Sequence, residues 1–303
     1  VLSILIPIYN VKIVKLVDEL ISQCQKAKIG FEIICLDDGS KNKIKEVNEA
    51  VNHRFGVNYV ELSENIGRAK IRNRLAKIAR YDWLLFLDCD SKPASKKFIK
   101  TYVSTGLNKD HVYIGGTKYD KRPPKARDKL LHWHYGSNRE ALKAKRRNRH
   151  PIQYFHSNNF VISRDVILAH PFDESLSSYG YEDLSLGQLL ADHNVSITHI
   201  DNPVLHRGIK KATAFITDQI SAVYNLAHLY QLGKVRSTRL ISLHKTLERL
   251  GILTTTIKWI DRRVEKYKSA LEDQPKSLYK LDLLKLYYFD NALMDTLSEE
   301  KTL

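Results

Sequence analysis

Cysteine is scarce in this chain: Cys24, Cys35 and Cys89 are the only three in 303 residues. An odd number at wide spacing, in apolar or strand-like surroundings, is neither a disulfide framework nor a zinc pattern. It fits a reducing compartment. Long apolar runs are missing too. The best stretch near the C-terminus, Leu250 to Ile260, carries three threonines and Lys258, so no membrane-spanning helix is expected. The chain starts almost at once on an apolar strand, and no secretory leader is expected. No G-x-G-x-x-G follows that strand, which argues against a dinucleotide-dependent oxidoreductase. Nor does a glycine-rich basic loop stand there, as a nucleotidyltransferase would need. Internal repeats and low-complexity segments are absent.

What is present describes a folded protein. Hydrophobic residues make up 43% and charged residues 27%, a balance that argues against disorder over most of the length. At 35.0 kDa there is room for one large α/β domain with an appendage. The net charge of +15 is unevenly spread. Residues 117–150 hold twelve lysines and arginines against three acids, whereas 151–208 hold two against seven. Such a basic segment attracts phosphate, whether on a nucleotide, a nucleic acid or an anionic membrane face.

The first ninety residues alternate apolar strands and amphipathic helices. Strands are expected at Leu2–Ile6, Phe31–Leu36, Val57–Leu62 and Trp83–Leu87. Helices are expected at about Val11–Ala27, Lys43–Val51 and Ile66–Ala79. Apolar strands joined by helices imply parallel pairing with both faces covered, and ligands then sit beyond the carboxyl ends. Those ends carry Pro7-Ile8-Tyr9-Asn10, Asp37-Asp38-Gly39-Ser40, Glu61-Leu62-Ser63-Glu64-Asn65 and Asp88-Cys89-Asp90. Further on come a Gly115-Gly116 turn, a basic helical stretch around Lys125–Arg147 and a strand at Asn159–Ile162. Beyond Gly208 the pattern is of helices with apolar stripes, such as Ile220, Val223, Leu226, Ala227 and Tyr230.

Ser91 and Pro93 end the fourth strand, so Asp88 and Asp90 lie in a loop where both can reach a divalent cation that bridges a diphosphate. The same triplet also reads as a solvated acidic turn. On the helix opening near Asn65-Ile66-Gly67, Arg68 and Arg72 share a face, with Ile71, Leu75 and Ile78 as the core stripe. Both arginines can flank a phosphate at a helix N-terminus, or belong to a basic solvated face with Lys70, Arg74 and Lys77. Asp37-Asp38-Gly39-Ser40 is composed of turn formers and helix-start residues.

Together, in order and spacing, these four segments, including Asn65-Ile66-Gly67-Arg68-Ala69-Lys70-Ile71-Arg72-Asn73, resemble family 2 glycosyltransferases of the GT-A fold over roughly residues 1–208. The resemblance implies an α/β, Rossmann-like mixed sheet flanked by helices, with a donor-nucleotide half (1–92), an acceptor half (93–208) and a helical C-terminal extension (209–303). It implies that Pro7, Tyr9 and Asp38 line a nucleoside pocket, with uracil the expected base and a UDP-sugar the expected donor. It also implies Mn²⁺ or Mg²⁺ at Asp90, with Asp88 and His206 assisting, and donor phosphates near Arg68, Arg72 and Asp88. Tyr179-Gly180-Tyr181-Glu182-Asp183 is similar to the Gly-x-Glu-Asp motif of inverting members. Asp183 is thereby the expected general base and Glu182 the residue that orients the acceptor; on residues alone, both acids also suit a helix N-terminus. His206 follows a strand-like Asp201–Leu205, with His199 close enough to compete for its role, and imidazole suits manganese better than magnesium. His132, His134, His150 and His156 show no zinc spacing.

The acceptor expected from this reading is a glycan or lipid-linked glycan, at the cytoplasmic face of the cell membrane. The basic 117–150 segment would meet an acidic glycan, a lipid diphosphate or anionic phospholipid. The helical tail is a candidate for self-association. The competing reading is a basic nucleic-acid or membrane-surface binding protein with a decayed transferase site. Against nucleic acid, Lys143 to Arg149 lack interleaved aromatic stacking platforms.

Overall fold

The computed structural model describes residues 1–176 and 180–300. In chain order it begins β1 (Leu2–Ile8), α1 (Val14–Ala27), β2 (Phe31–Asp37), α2 (Asn42–Glu49), β3 (Val57–Glu61), α3 (Arg68–Ile78) and β4 (Trp83–Leu87). It continues β5 (Ser91–Pro93), α4 (Phe98–Val103), β6 (His111–Ile114), β7 (Thr117–Lys118), α5 (Leu130–Tyr135), α6 (Ala144–Arg147) and β8 (Asn159–Ser163). Next come α7 (Arg164–Ala169), α8 (Glu182–Asp192), β9 (Ser196–His199) and β10 (Val204–His206). The helices α9 (Ala212–Gln231), α10 (Arg239–Arg249), α11 (Leu253–Asp261), α12 (Val264–Asp273) and α13 (Leu278–Glu300) close the described chain.

Seven strands form one mixed sheet in the order β3-β2-β1-β4-β8-β6-β9. The first four pair in parallel, while β8 runs antiparallel to both β4 and β6. The apolar run of β1 explains why this strand lies inside. Leu2, Ile4, Ile6 and Ile8 join α1's Leu16, Val17 and Leu20 and α4's Phe98 and Tyr102 on one face. Leu5, on the opposite face, packs with α3's Ile71 and Leu75 and β8's Phe160. Each fully buried Leu or Ile contributes about 1.5–3 kcal/mol. Because β2 and β4 flank β1 on opposite sides, strand order reverses between β1 and β4, and beyond the carboxyl ends at such a reversal is where open α/β sheets place their ligand crevice. A small sheet, β5-β10-β7, follows directly on β4.

The element ends that depart from expectation have local causes. Asn48 binds the Ile13 amide at 3.0 Å and donates to the Val11 carbonyl at 2.8 Å, holding Val11–Ile13 outside α1. Asp38 takes the amides of Ile66 and Gly67 at 2.7 and 3.2 Å, and Gly67 has φ +91°, so α3 opens at Arg68 and not at Ile66. Ile78 is 43% exposed, and Ala79 takes the expected place in the core.

The basic stretch around Lys125–Arg147 is not one helix. It is broken into a 3-10 turn (Arg127–Lys129), α5, a π turn (Gly136–Glu140) and α6, as the poor helix formers Gly136, Ser137 and Asn138 favour. Its charge is also not one patch. Compact unit one comprises Val1–Asp120, Arg139–Ser177 and Leu186–Gly208; unit two comprises Lys121–Asn138, Ser178–Ser185 and Ile209–Leu303. Within unit two, Leu131 joins Ala212, Phe215, Ile260, Leu271, Leu281 and Leu284 in a core of its own.

Arg147, in the middle of the basic run, is buried. It donates to the carbonyls of Leu142, Ile114, Gly115 and Ile200 and to His199 Nδ1, the last at 2.7 Å. His199 Nε2 then donates to the Pro151 carbonyl at 3.0 Å. Burial, with the nearby Arg147 charge, pushes the His199 imidazole down from 6.5 to about 4 despite that last bond. Between those values the unfolded chain binds a proton that the folded one refuses, so folding stability falls as pH drops. The expected loss is on the order of 3 kcal/mol by pH 4. Urea midpoints against pH should show this slope, and His199→Asn should flatten it.

Candidate active site

The loops after β1, β2 and β4 converge on the crevice. After β1, the Asn10 amide donates to Ser40 Oγ at 2.7 Å and the Lys41 amide donates back to Asn10 Oδ1 at 3.0 Å. This mutual lock, with Asn10 at φ +56°, fixes the end of the strand and leaves Tyr9 52% exposed beside half-buried Pro7. An exposed ring on a fixed backbone is a stacking surface.

After β2 the two aspartates divide their work. Asp37 is fully buried and accepts from the Ser40 amide and the Tyr59 hydroxyl at 2.7 and 3.1 Å. Asp38 holds the loop before α3. Burial raises its pKa against the pull of the Ile66 and Gly67 amides. Both oxygens of Asp38, which the resemblance sets in the nucleoside pocket, thus already accept from backbone amides.

Asp88-Cys89-Asp90 forms a β-turn in which the Ser91 amide donates to the Asp88 carbonyl at 3.0 Å. The strand has ended there, and the two carboxylates part. Asp88 Oδ1 binds Arg72 Nη2 at 2.6 Å, and Asp88 Oδ2 lies 3.6 Å from Arg68 Nη2. Arg72 is not on a solvated face. It is 1% exposed, stands 5.7 Å from the Phe172 ring centre and also donates to the Arg68 carbonyl. Instead of flanking a phosphate together, the two arginines differ: Arg72 is sunk against Asp88, and Arg68 is the exposed one.

Asp90 is paired otherwise. Antiparallel register sets His206 opposite Ser91, and the Arg207 amide donates to the Asp90 carbonyl at 2.9 Å. His206 is thus the last residue of a strand and not a residue beyond it. Its Nδ1 lies 3.5 Å from Asp90 Oδ2. Burial opposes charge on both groups, yet their mutual bond and attraction hold the Asp90 carboxyl below its usual range and the His206 imidazole above its own. Of the two histidines in contention, His206 stands beside Asp90, and His199 is held by Arg147.

The donor set fits a hard divalent cation. Asp90 Oδ1 is buried without a partner, as are Ser91 Oγ and Asn158 Oδ1 nearby in sequence or register. Among the described residues no group of three or more His, Cys, Asp or Glu converges on one point. Asp88 is turned toward its arginines, while Asp90 and His206 stand side by side. Magnesium and manganese accept such sparse sets when phosphate oxygens and water complete them. Burial pushes the Cys89 thiol up to about 12.

Glu182 and Asp183 belong to unit two. Tyr179, the first residue of their motif, lies outside the described residues. Gly180 at φ +108° and Tyr181 at φ +65° make a tight turn before α8. A Cβ on Gly180 would stand 2.4 Å from the Ala222 Cβ, and Asn225 donates to the Gly180 carbonyl at 3.1 Å, so α9 fixes this turn. Glu182 is 5% exposed and accepts from the Gly180 amide at 3.0 Å; Asp183 Oδ1 accepts from the Leu184 amide at 2.9 Å. One oxygen of Glu182 thus serves its own loop.

Sequence reasoning overlooked Asn158, whose backbone carbonyl takes the Asp88 amide and whose side chain donates to Thr117. Gly208 was passed over too: a Cβ there would meet Asp90 Oδ2 at 2.0 Å. Their signals are a polar Asn-Asn pair opening an apolar strand and a glycine two residues after the histidine.

The sequence profile of Glycosyl transferase family 2 matches residues 3–169. A chondroitin synthase of Pasteurella multocida (strain Pm70) is 25% identical over 219 residues, covering 62% of this chain and 23% of the synthase. The uncharacterized glycosyltransferase YfnE of Bacillus subtilis (strain 168) is 25% identical over 249 residues, 65% of this chain and 61% of its own. The chain therefore spans less than a quarter of the length of the chondroitin synthase it matches. In fold it is similar to a mannosyltransferase from Pyrobaculum calidifontis, solved in complex with GDP-Man and Mn²⁺. The TM-score is 0.62 at 15% identity, over 97% of this chain and 86% of that one.

Proposed function

Since the chain belongs to glycosyl transferase family 2, we propose that it moves a sugar from a nucleotide-diphosphate donor, a UDP-sugar by preference, to a hydroxyl of a glycan or lipid-linked glycan, with inversion. The observation that carries this is at the β1/β4 reversal. There Asp90 offers a buried, unpartnered oxygen beside His206, next to an Asp88 clamped by two arginines.

In this reading Tyr9 and Pro7 receive the base, and Asp38 keeps the α3 loop against it. Arg68 faces the diphosphate, and Arg72 acts through Asp88. Asp90 and His206 would hold Mn²⁺ or Mg²⁺, the histidine through a neutral imidazole nitrogen. A bound cation supplies Lewis acidity that stabilises charge on the departing diphosphate. Asp183 takes the proton from the attacking hydroxyl, and Glu182 sets that hydroxyl's approach. The likeness to a chondroitin synthase supports a saccharide acceptor. Three free thiols, two of them fully buried, suit work on the cytoplasmic side of a cell-surface glycan pathway.

A panel of UDP- and GDP-sugars tests the reading. One donor should be hydrolysed with Mn²⁺ present, with hydrolysis stopping on addition of EDTA. Hydrolysis indifferent to chelation, or none across the panel, overturns it. A second measurement bears on the ligand set. Gly208→Ala pushes Asp90 from its place, so Mn²⁺ affinity in the presence of UDP should fall about tenfold or more by titration calorimetry.

A further inference from the structure

Unit two carries apolar side chains that its own core does not use. The α10 helix buries Ile241 and His244, and α11 buries Ile257 and Ile260. On their outer sides stand Leu243 (44% exposed), Leu250 (65%), Ile252 (46%) and Trp259 (45%). Leu243 and Leu250 are seven residues apart, as are Ile252 and Trp259, so each pair lies along a single helical stripe. The stripes meet at Gly251, where the Ile252 amide bonds the Leu247 carbonyl at 3.1 Å and the Gly251 amide bonds the Glu248 carbonyl at 2.9 Å. This left-handed glycine turn, φ +69°, ends α10 sharply and sets Leu250 and Ile252 on either side of a tip with open space around it.

The charge around the tip has one sign in excess. From Arg236 to Lys266 there are eight lysines and arginines against three acids. Arg249, Lys258, Arg262 and Lys266 are exposed, and the Arg263 guanidinium lies 4.4 Å from the centre of the Trp259 ring. Leucine, isoleucine and tryptophan projecting from a helix pair, ringed by long cationic side chains, match the depth profile of a bilayer surface. Apolar groups enter the acyl boundary, the indole sits at headgroup level and the cations reach lipid phosphate. No described helix is long and apolar enough to cross a membrane, so the match is to lying on the surface.

We propose that the α10–α11 turn is a docking element that seats this protein on an anionic lipid bilayer. The element lies apart in sequence from the basic 117–150 segment, and the inference does not depend on the transferase reading, since its test uses no donor.

Sedimentation with phosphatidylcholine vesicles, with and without phosphatidylglycerol, is the measurement. The protein should bind the anionic vesicles. The triple variant Leu250→Ser/Ile252→Ser/Trp259→Ser should lose about tenfold or more in partitioning, whereas Lys145→Glu/Arg149→Glu should stay within about twofold. Absence of binding by the unmodified protein, an unaffected triple variant, or loss of binding only on charge reversal at Lys145 and Arg149 overturns the proposal. So does a dimer, seen by light scattering without lipid, that the triple variant splits. A readout that keeps all three side chains comes from Trp83→Phe/Trp133→Phe, which leaves Trp259 as the sole tryptophan. Its emission should shift to the blue and resist acrylamide when anionic vesicles are added. Unchanged emission overturns the proposal even if the triple variant does not fold.

Discussion

Asp183→Asn is expected to lower sugar transfer by about 10²- to 10⁴-fold, the usual contribution of a positioned base, while UDP affinity stays within a factor of about two. The substitution isolates proton acceptance because asparagine has the same shape. Its amide oxygen can keep the bond that Asp183 Oδ1 now takes from the Leu184 amide at 2.9 Å. The turn before α8 is held by Gly180, Tyr181 and Asn225, none of which needs a charge at position 183. The residues proposed for the nucleotide, Pro7, Tyr9, Asp38 and Arg68, all come from the first ninety residues. Steady-state transfer rates and UDP titration on the same preparation decide the matter. Equal loss of both sinks the base assignment, and so does a variant that transfers at the original rate.

The second large effect is on stability. Asp88→Ala should destabilise the fold by about 3 kcal/mol, read as a lower urea midpoint. Removing one member of a buried ion pair typically costs 3–5 kcal/mol because the remaining charge stays buried. The lower end applies because Asp88 itself is 19% exposed while Arg72 is 2%. The Arg68 carbonyl and the Phe172 ring, which also contact Arg72, carry no formal negative charge to replace that of Asp88. Arg72→Met together with Asp88→Ala should recover much of the loss, since no isolated charge remains. If Asp88→Ala alone folds with an unchanged midpoint, the clamp is not structural, and Arg72 returns to consideration as a direct phosphate ligand.

The strands and helices of the first ninety residues were legible because their pattern is local. Four apolar runs, each ended by polar residues, dictate parallel strands with their business at the carboxyl ends, and β4 falls on Trp83–Leu87 as expected. What could not be read was which polar groups would be consumed by the fold. Arg72 and Arg68 look alike in sequence, four residues apart on one helix, yet one is buried between Asp88 and Phe172 while the other approaches the same carboxylate from an exposed position. Arg147 looked like one more cation of a basic run, but the nearby Leu142 carbonyl, three carbonyls from distant segments and a distant imidazole surround it. His206 could be separated from His199 only by the pairing of Val204–His206 with Ser91–Pro93, a long-range register that no periodicity encodes. Helical spacing continues through Val11 and Ile66; Asn48, on α2, and Asp38, in the loop after β2, decide otherwise.

Strand β4 takes its antiparallel neighbour, Asn159–Ser163, from more than seventy residues downstream. A fragment ending at residue 92 would contain every residue proposed for the nucleotide and still stop with Leu84, Leu85, Phe86 and Leu87 along a bare sheet edge. In the whole chain all four are completely covered. Unpaired backbone beside such side chains is a template for aggregation. On the ribosome, the same edge stays open until the downstream strand emerges, so the first half of the protein is competent to associate wrongly before it is competent to bind anything.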